Sequence, residues 1–477
     1  MNKTIKYSMK LSICVLLISS FYNTVVSQNI TNTLGTLGIF RIKDNSTTFL
    51  SMDQSTGVLS LNRNMNLLNS TSISTGVIMK NSTPFIHDFT GAGTDGNNTF
   101  IGVNSGNFSM GGAVNTYGSY NTALGKNTMI RNTTGSYNTS IGYLTLNQNT
   151  TGLLNTAVGT YSMNLNVTGS FNTSLGVSTL YNNTTGNKNV AIGTYALFSN
   201  TTGFDNVAIG YNSQNSVVSF AQNTSVGNNT LTNNLSSSNS AFGFGSMENN
   251  TGGIQNSAFG TGSLRNNING NENSCFGIIS LSDNVSGNYN SAFGSRSLSS
   301  NVSGSFNAAF GNSSAQNFTS GIKNSFFGYT SGDNLQTGDN NIAIGHNSLF
   351  PSANISNCIR LGNTSITYAS LQVAWTITSD RNLKHDIINL PLGLQFINRL
   401  RPVSYIRNND ESGKNEFGLI AQEVEEALIE AGADYSGMVT VTDIGEYQLR
   451  YNDLLAPMIK AIQELKEKCD RLEKENS

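Results

Sequence analysis

From Gly125 to Gly362 the apolar and polar positions of this chain recur in a fixed phase. A glycine stands at 125, 142, 159, 176, 193, 210, 227, 243, 260, 277, 294, 311, 328, 345 and 362, and every interval is 17 except 227 to 243, which is 16. The residue before each of these glycines is Leu, Ile, Val or Phe. Four before it, from Asn121 to Asn341, stands asparagine, as in Asn121-Thr122-Ala123-Leu124-Gly125 and Asn189-Val190-Ala191-Ile192-Gly193. Four after the glycine comes Leu or Met in most units (Met163, Leu180, Leu197, Leu264, Leu298), and a second glycine often follows ten after it (Gly135, Gly152, Gly169, Gly287, Gly304). Each unit therefore predicts a short apolar strand, a glycine turn, a second apolar contact and an Asn-Thr-Thr-Gly turn. A short fixed period in which no unit can bury its own apolar face marks a solenoid. Seventeen residues are too few for a helix-turn-helix repeat and suit one coil of a parallel β-roll or β-helix. Coils stacked ~4.8 Å apart over fourteen intervals would form a rod of roughly 70 Å, and asparagines at equal positions would stack their amides into ladders.

The pattern changes on both sides. Gly38–Lys43, Thr48–Met52 and Gly57–Leu61 alternate like short strands. Residues 28–112 are read as a β-rich cap or attachment region, because the open end of a solenoid needs covering. Asn98–Gly102 is a degenerate first repeat. Beyond Ser379, Ile420, Val424, Ala427 and Leu428 mark an amphipathic helix, and Val439–Thr442 with Tyr447–Arg450 mark a small strand pair. Leu455, Met458, Ile462, Leu465, Cys469, Leu472 and Asn476 follow spacings of 3 and 4 in turn, a heptad seam over 454–476 that predicts an oligomeric helix without fixing its number of strands.

At 477 residues the chain should hold two or three domains. Charged residues are only 11 % and the net charge is −2, which argues against nucleic acid as a partner. Low charge with 5 prolines suits a laddered β structure better than disorder. Lys3, Lys6 and Lys10, then Leu11–Phe21, then Val25-Val26-Ser27 read as a secretory signal cut before Gln28, the apolar run being too short for a span. No membrane span is expected after its removal. Cys14 lies in that signal; Cys275, Cys358 and Cys469 form neither a disulfide framework nor a zinc pattern. With 3 histidines, no metal site and no cofactor is expected. The repeat asparagines read as turn and ladder residues. Many also head Asn-x-Ser/Thr sequons, so N-glycosylation is the functional alternative.

The junction between repeat and tail carries the candidate chemistry. In Ser379-Asp380-Arg381-Asn382-Leu383-Lys384, a serine and a lysine stand five residues apart, a spacing open to a nucleophile and its base. The alternative is that Ser379 or Asp380 caps a turn before Leu383. No Ser-His-Asp set is evident, and His385 reads as solvent-facing. About thirty residues on comes Gly418-Leu419-Ile420-Ala421-Gln422-Glu423-Val424. Together these segments resemble the peptidase S74 family, the endosialidase-type intramolecular chaperones at the C-termini of tail spikes and other trimeric fibres; the resemblance runs from about Thr376 to the end. It implies a homotrimer whose tail cuts itself off in cis, once, at Thr378-Ser379, with Ser379 as nucleophile and Lys384 as base. It also implies supporting roles for Asp380, Arg381, Gly418, Gln422 and Glu423. The repeat array resembles the head repeats of trimeric autotransporter adhesins, with a longer unit.

The expected architecture is mainly β: a signal (1–27), the N-terminal region (28–112), a solenoid of 17-residue repeats (113–375) and a small α+β chaperone ending in a coiled coil (376–477). The leading functional reading is a secreted, cell-surface or virion fibre, adhesin-like, with a surface glycan or receptor as possible ligand of the body. A glycan hydrolase would need two carboxylates flanking one bond, and the acids of the array, Asp205, Glu248, Glu272, Asp283, Asp333 and Asp339, fall at scattered repeat positions. A cleavage-released regulator would need a DNA-binding domain and a membrane span. A non-cleaving fibre with a permanent trimerisation domain is the remaining alternative.

Overall fold

A computed structural model describes residues 39–43, 48–53, 55–62 and 65–476; the signal expected at 1–27, with Cys14, lies outside the described residues. The chain divides into two compact units, 1–68 and 69–477. In the first, β1 (Ile39–Lys43), β2 (Thr48–Asp53) and β3 (Leu59–Leu61) form an antiparallel sheet in chain order, matching the three predicted strands.

The second unit is built on a single ladder. It opens with an antiparallel hairpin, β4 (Ile78–Lys80) and β5 (Thr83–His87). β5 then pairs antiparallel with β6 (Thr99–Ile101), the predicted degenerate repeat. From β6 to β21 (Ile359–Leu361) sixteen three-residue strands pair in parallel, each with the next. Register advances by 17, as in Thr156↔Thr173, except at the first step, Thr99↔Thr122, where it advances by 23, and at Thr224↔Ser240, where it advances by 16. The solenoid read from the glycine period is therefore the fold.

Within a coil, numbered from its repeat glycine, the middle strand residue (two before) points inward. Ala157, Ala191, Ala258 and Cys275 at that place are fully buried, and so are Met163, Leu197 and Leu264 four after the glycine. Small residues on the strand and long ones on the opposite turn fill a core one side chain wide. The repeat glycine itself is obligatory. Gly159 sits at φ +129°, and a Cβ there would lie 2.2 Å from the Gly176 carbonyl oxygen of the next coil. Only glycine accepts both that backbone region and that approach.

Two asparagine ladders run through the interior. In the first, Asn155 four before the glycine donates its Nδ2 to the Gly169 carbonyl at 2.9 Å, and its Oδ1 accepts from the Asn172 backbone N–H at 3.0 Å. The same pattern continues to Asn341. The second, seven after the glycine, links Asn132, Asn149, Asn166, Asn183 and Asn200 by Nδ2-to-Oδ1 bonds of 2.7–2.9 Å. These five head sequons and are fully buried. The second ladder breaks where Val217 and Phe318 take its place, and there the buried Oδ1 atoms of Asn200 and Asn301 have no protein partner. An unpaired buried acceptor costs about 1–3 kcal/mol, so these breaks are local weak points.

The N-terminal end of the stack is closed by His87, Phe100 and Phe108. The His87 ring lies 4.8 Å from Phe100 and 4.3 Å from Phe108, and its Nε2 meets the Ser105 carbonyl at 2.7 Å. Burial holds its pKa below the usual histidine value, against the opposing pull of that carbonyl and of Asp88.

Candidate functional site

The last coil hands over at Gly362 to a stretch without regular structure. Residues 364–389 are exposed throughout. Between Leu371 and Ile377, large apolar residues alternate with small or polar ones (Leu371, Val373, Trp375, Ile377), the period of a strand, yet all four side chains are uncovered in the single chain.

Thr378 and Ser379 end this stretch. A single turn of 3₁₀-helix, Arg381–Leu383, follows; Asp380 caps it by accepting from the Asn382 N–H at 2.8 Å. The expected capping role thus falls to Asp380 and leaves the Ser379 side chain free of it. Because the turn reverses the chain, the Lys384 ammonium donates to Ser379 Oγ at 2.5 Å and to the Ser379 carbonyl at 3.4 Å. Arg381 is exposed on the turn. His385 faces solvent, paired with Asp386 at 2.7 Å. The structure thus brings Ser379 and Lys384 into contact and leaves His385 out.

The second motif sits on the small α+β body of the tail. Its core joins Leu392, Phe396, Val424, Leu428, Val439 and Leu454. β22 (Val403–Tyr405) pairs antiparallel with β23 (Glu416–Gly418), which leads into helix α2 (Ala421–Glu430); a short helix α1 (Leu394–Ile397) precedes them. Gly418 is required by packing: a Cβ there would lie 2.3 Å from the Tyr451 hydroxyl, which accepts from the Leu419 N–H at 2.9 Å. Glu423, in the first turn of α2, makes a two-pronged pair with Arg401, and that guanidinium holds its carboxyl below the usual carboxylate range. Gln422 lies beside it at the helix start. These residues shape the tail's body.

β24 (Val439–Val441) and β25 (Tyr447–Leu449) form the predicted hairpin. Asp443 at its tip was not singled out from the sequence. Its N–H donates to the Pro351 carbonyl at 2.8 Å, and its Oδ2 accepts from the Ala353 N–H at 3.0 Å. The tail therefore touches the terminal coil through the backbone of that coil. An isolated aspartate in a polar turn gives no sequence signal for such a contact.

Helix α3 (Leu455–Glu475) closes the chain. One face, with Pro457 and Ala461, is buried against the tail's body, and Glu464 accepts from the Leu394 N–H at 2.7 Å. The heptad residues Leu455, Met458, Ile462, Leu465 and Leu472 lie on other faces and stay uncovered; Ile462 is 65 % exposed. The helix thus packs on its own domain and still presents the seam. Among the described residues no helix is long and apolar enough to cross a membrane.

In comparisons with known proteins, residues 379–433 match the family model of peptidase S74, the chaperone of endosialidase. The match begins at Ser379 and includes Gly418, Gln422 and Glu423; the solenoid and α3 lie outside it. No curated protein and no solved structure matches the chain.

Proposed function

We propose that this chain is an exported, trimeric, adhesin-like fibre in which residues 376–477 act as an intramolecular chaperone and then detach by cutting Thr378-Ser379. In this reading 28–112 attach or cap the fibre, 113–375 form its body, and 454–476 form a three-stranded coiled coil. The observation that carries the chemistry is the 2.5 Å contact between Lys384 Nζ and Ser379 Oγ.

In the proposed reaction, neutral Lys384 takes the Ser379 hydroxyl proton while Oγ attacks the Thr378 carbonyl carbon. The bond from that carbon to the Ser379 nitrogen breaks, and the nitrogen leaves with the proton from Lys384. Water then hydrolyses the ester on Oγ, leaving a Thr378 carboxylate and a new N-terminus at Ser379. Each chain performs this once and needs neither metal nor cofactor. Lysine serves as base only where desolvation or neighbouring positive charge favours its neutral form, and in one chain both residues are open to water. Coverage by neighbouring chains would exclude that water, so the cut waits for assembly. The uncovered strand-like alternation at Leu371–Ile377 and the uncovered heptad seam support the same order of events.

A trimeric solenoid folds slowly, since each coil offers a false register one unit away. A tail that aligns three chains at their C-ends removes that choice, and its loss afterwards traps the product kinetically. Three of the six acids of the array favour this over glycan hydrolysis: Glu248 pairs with Arg265 at 3.3 Å, Asp339 accepts from the Ile322 N–H, and Asp283 accepts from Asn266, each in a separate structural contact.

The test is the mass of purified wild type beside Ser379→Ala and Lys384→Ala. A break between 378 and 379 in wild type, with both variants intact, is the expected result. An intact, trimeric wild type would remove the peptidase and leave a permanent trimerisation domain.

A further inference from the structure

The residue before each repeat glycine points out of the coil, and it is apolar in all sixteen strands of the parallel ladder. It is aliphatic from Ile101 to Val226, then Phe242, Phe259, Phe276, Phe293, Phe310 and Phe327, then Ile344 and Leu361. The six phenylalanines stack face to face, with centroids 4.6–5.1 Å apart and planes within 10°. The stack still leaves Phe327 40 % exposed, and Leu361 is 56 % exposed. The outward neighbour two residues earlier on each strand is small or β-branched and uncharged. The other outward positions are mixed: one after the glycine stand Lys126, Thr160 and Asn228, and twelve after it Lys188, Asp205 and Lys323.

We propose that this stripe is the surface along which copies of this chain pack side by side. The proposal rests on the trimeric reading above and specifies which face meets the axis. Fifteen steps of ~4.8 Å by the ~10 Å of a three-residue strand make a face of roughly 700 Å² per chain. That is close to the ~800 Å² per partner of a standard stable interface and larger than the apolar patches most monomers leave in water. The occupant is another copy because only a copy presents an uncharged stripe of the same length at the same pitch. Bringing copies parallel through the heptad seam would place the stripes in equal register, phenylalanine block against phenylalanine block.

The experiment is site-directed cross-linking of the full chain in a Cys14→Ser, Cys358→Ser, Cys469→Ser background, where the remaining Cys275 is buried. Phe293→Cys is compared with Ser303→Cys, an exposed position on another side of the same coil, and sedimentation velocity gives the oligomeric state of each. Oxidation should link Phe293→Cys chains in pairs at least tenfold more than Ser303→Cys chains. A trimer in which Phe293→Cys links no better than Ser303→Cys overturns the stripe and leaves the trimeric reading standing. A sedimenting monomer overturns both. A second variant, Phe276→Asp with Phe293→Asp, changes only outward side chains and should keep the β-rich circular dichroism spectrum while weakening association at least tenfold; unchanged association would also overturn the proposal.

Discussion

Phe326 and Gly332 occupy one core site between them: a Cβ on Gly332 would lie 2.3 Å from the Phe326 ring. In most other coils a small residue on the strand stands with Leu or Met at the corresponding turn position, as with Ala157 and Met163. Phe100 and Gly106 repeat the inverted arrangement at the other end of the ladder, where the added Cβ would lie 2.7 Å from the ring. In these two coils the large side chain has moved from the turn to the strand.

This exchange predicts a double-mutant cycle. Phe326→Ala should cost about 3–5 kcal/mol through the cavity it leaves, and Gly332→Leu should cost about 1–3 kcal/mol through overpacking. The combined variant should recover most of both losses. Urea melts of the four proteins measure the coupling.

The broken asparagine ladder predicts a second cycle. At intact steps a Cβ on the glycine ten after the repeat glycine would lie 2.3–2.4 Å from the ladder Oδ1, as at Gly135 and Gly152. The coil containing Val217 carries Phe220 at that place. Val217→Asn alone should therefore destabilise. Val217→Asn with Phe220→Gly should supply the missing donor to Asn200 Oδ1 and exceed the single variant by about 1–2 kcal/mol. Comparative melts of the two variants check it.

The proposed cleavage, if it waits for assembly, predicts that the seam controls the chemistry from a distance. Ile462→Asp with Leu465→Asp replaces two uncovered residues of α3 and leaves Ser379 and Lys384 untouched. The variant should stay monomeric at micromolar concentration, with the cleaved fraction at least tenfold below wild type. Sedimentation and intact mass on the same sample check both outcomes; full cleavage by a monomer would contradict the dependence.

The closed end of the stack should open in acid. The folded pKa of His87 is lowered by burial, so above the ordinary histidine range both folded and unfolded chains are neutral there and the contribution is complete. As pH falls from about 6.5 through the lowered folded value, the unfolded chain binds the proton first and stability is lost. His87→Gln should remove that part of the pH dependence. Thermal melts at pH 7.5 and pH 5 on both proteins measure it.

Much of the body was legible in the sequence, because a solenoid repeats its physics: the glycine period, the asparagine four before it and the frequent Leu or Met four after it each mark a place that every stacked coil must fill again. The facing of the strand was harder to read. A three-residue strand is too short to show alternation, and the large Ile and Phe before each glycine look like core, whereas Ala157 and Ala191 are the inward residues and Phe327 faces out. The asparagines that head sequons were read as turn and ladder residues, and the bonds from Asn149 to Asn132 and from Asn166 to Asn149 are such a ladder. In the tail, helix, hairpin and heptads were visible from periodicity. The Asp443 contact was not, since it depends on where two distant turns meet. The contact of Lys384 with Ser379 follows from a turn that Asp380 caps, which the six residues allowed without dictating.

Within the ladder each strand pairs only with the strand before it and the strand after it. A segment of the gene encoding one whole unit can therefore be duplicated or lost by recombination, with the change of surroundings confined to the coils that flank it. The lone 16-residue step from Thr224 to Ser240 shows that the ladder also heals over a shortened unit, because Ser236 supplies the carbonyl that Asn223 and Asn234 require. Ladder length in this protein is thus a heritable quantity that can change in increments of one coil, leaving the contact between Ser379 and Lys384 beyond the end of whatever length results.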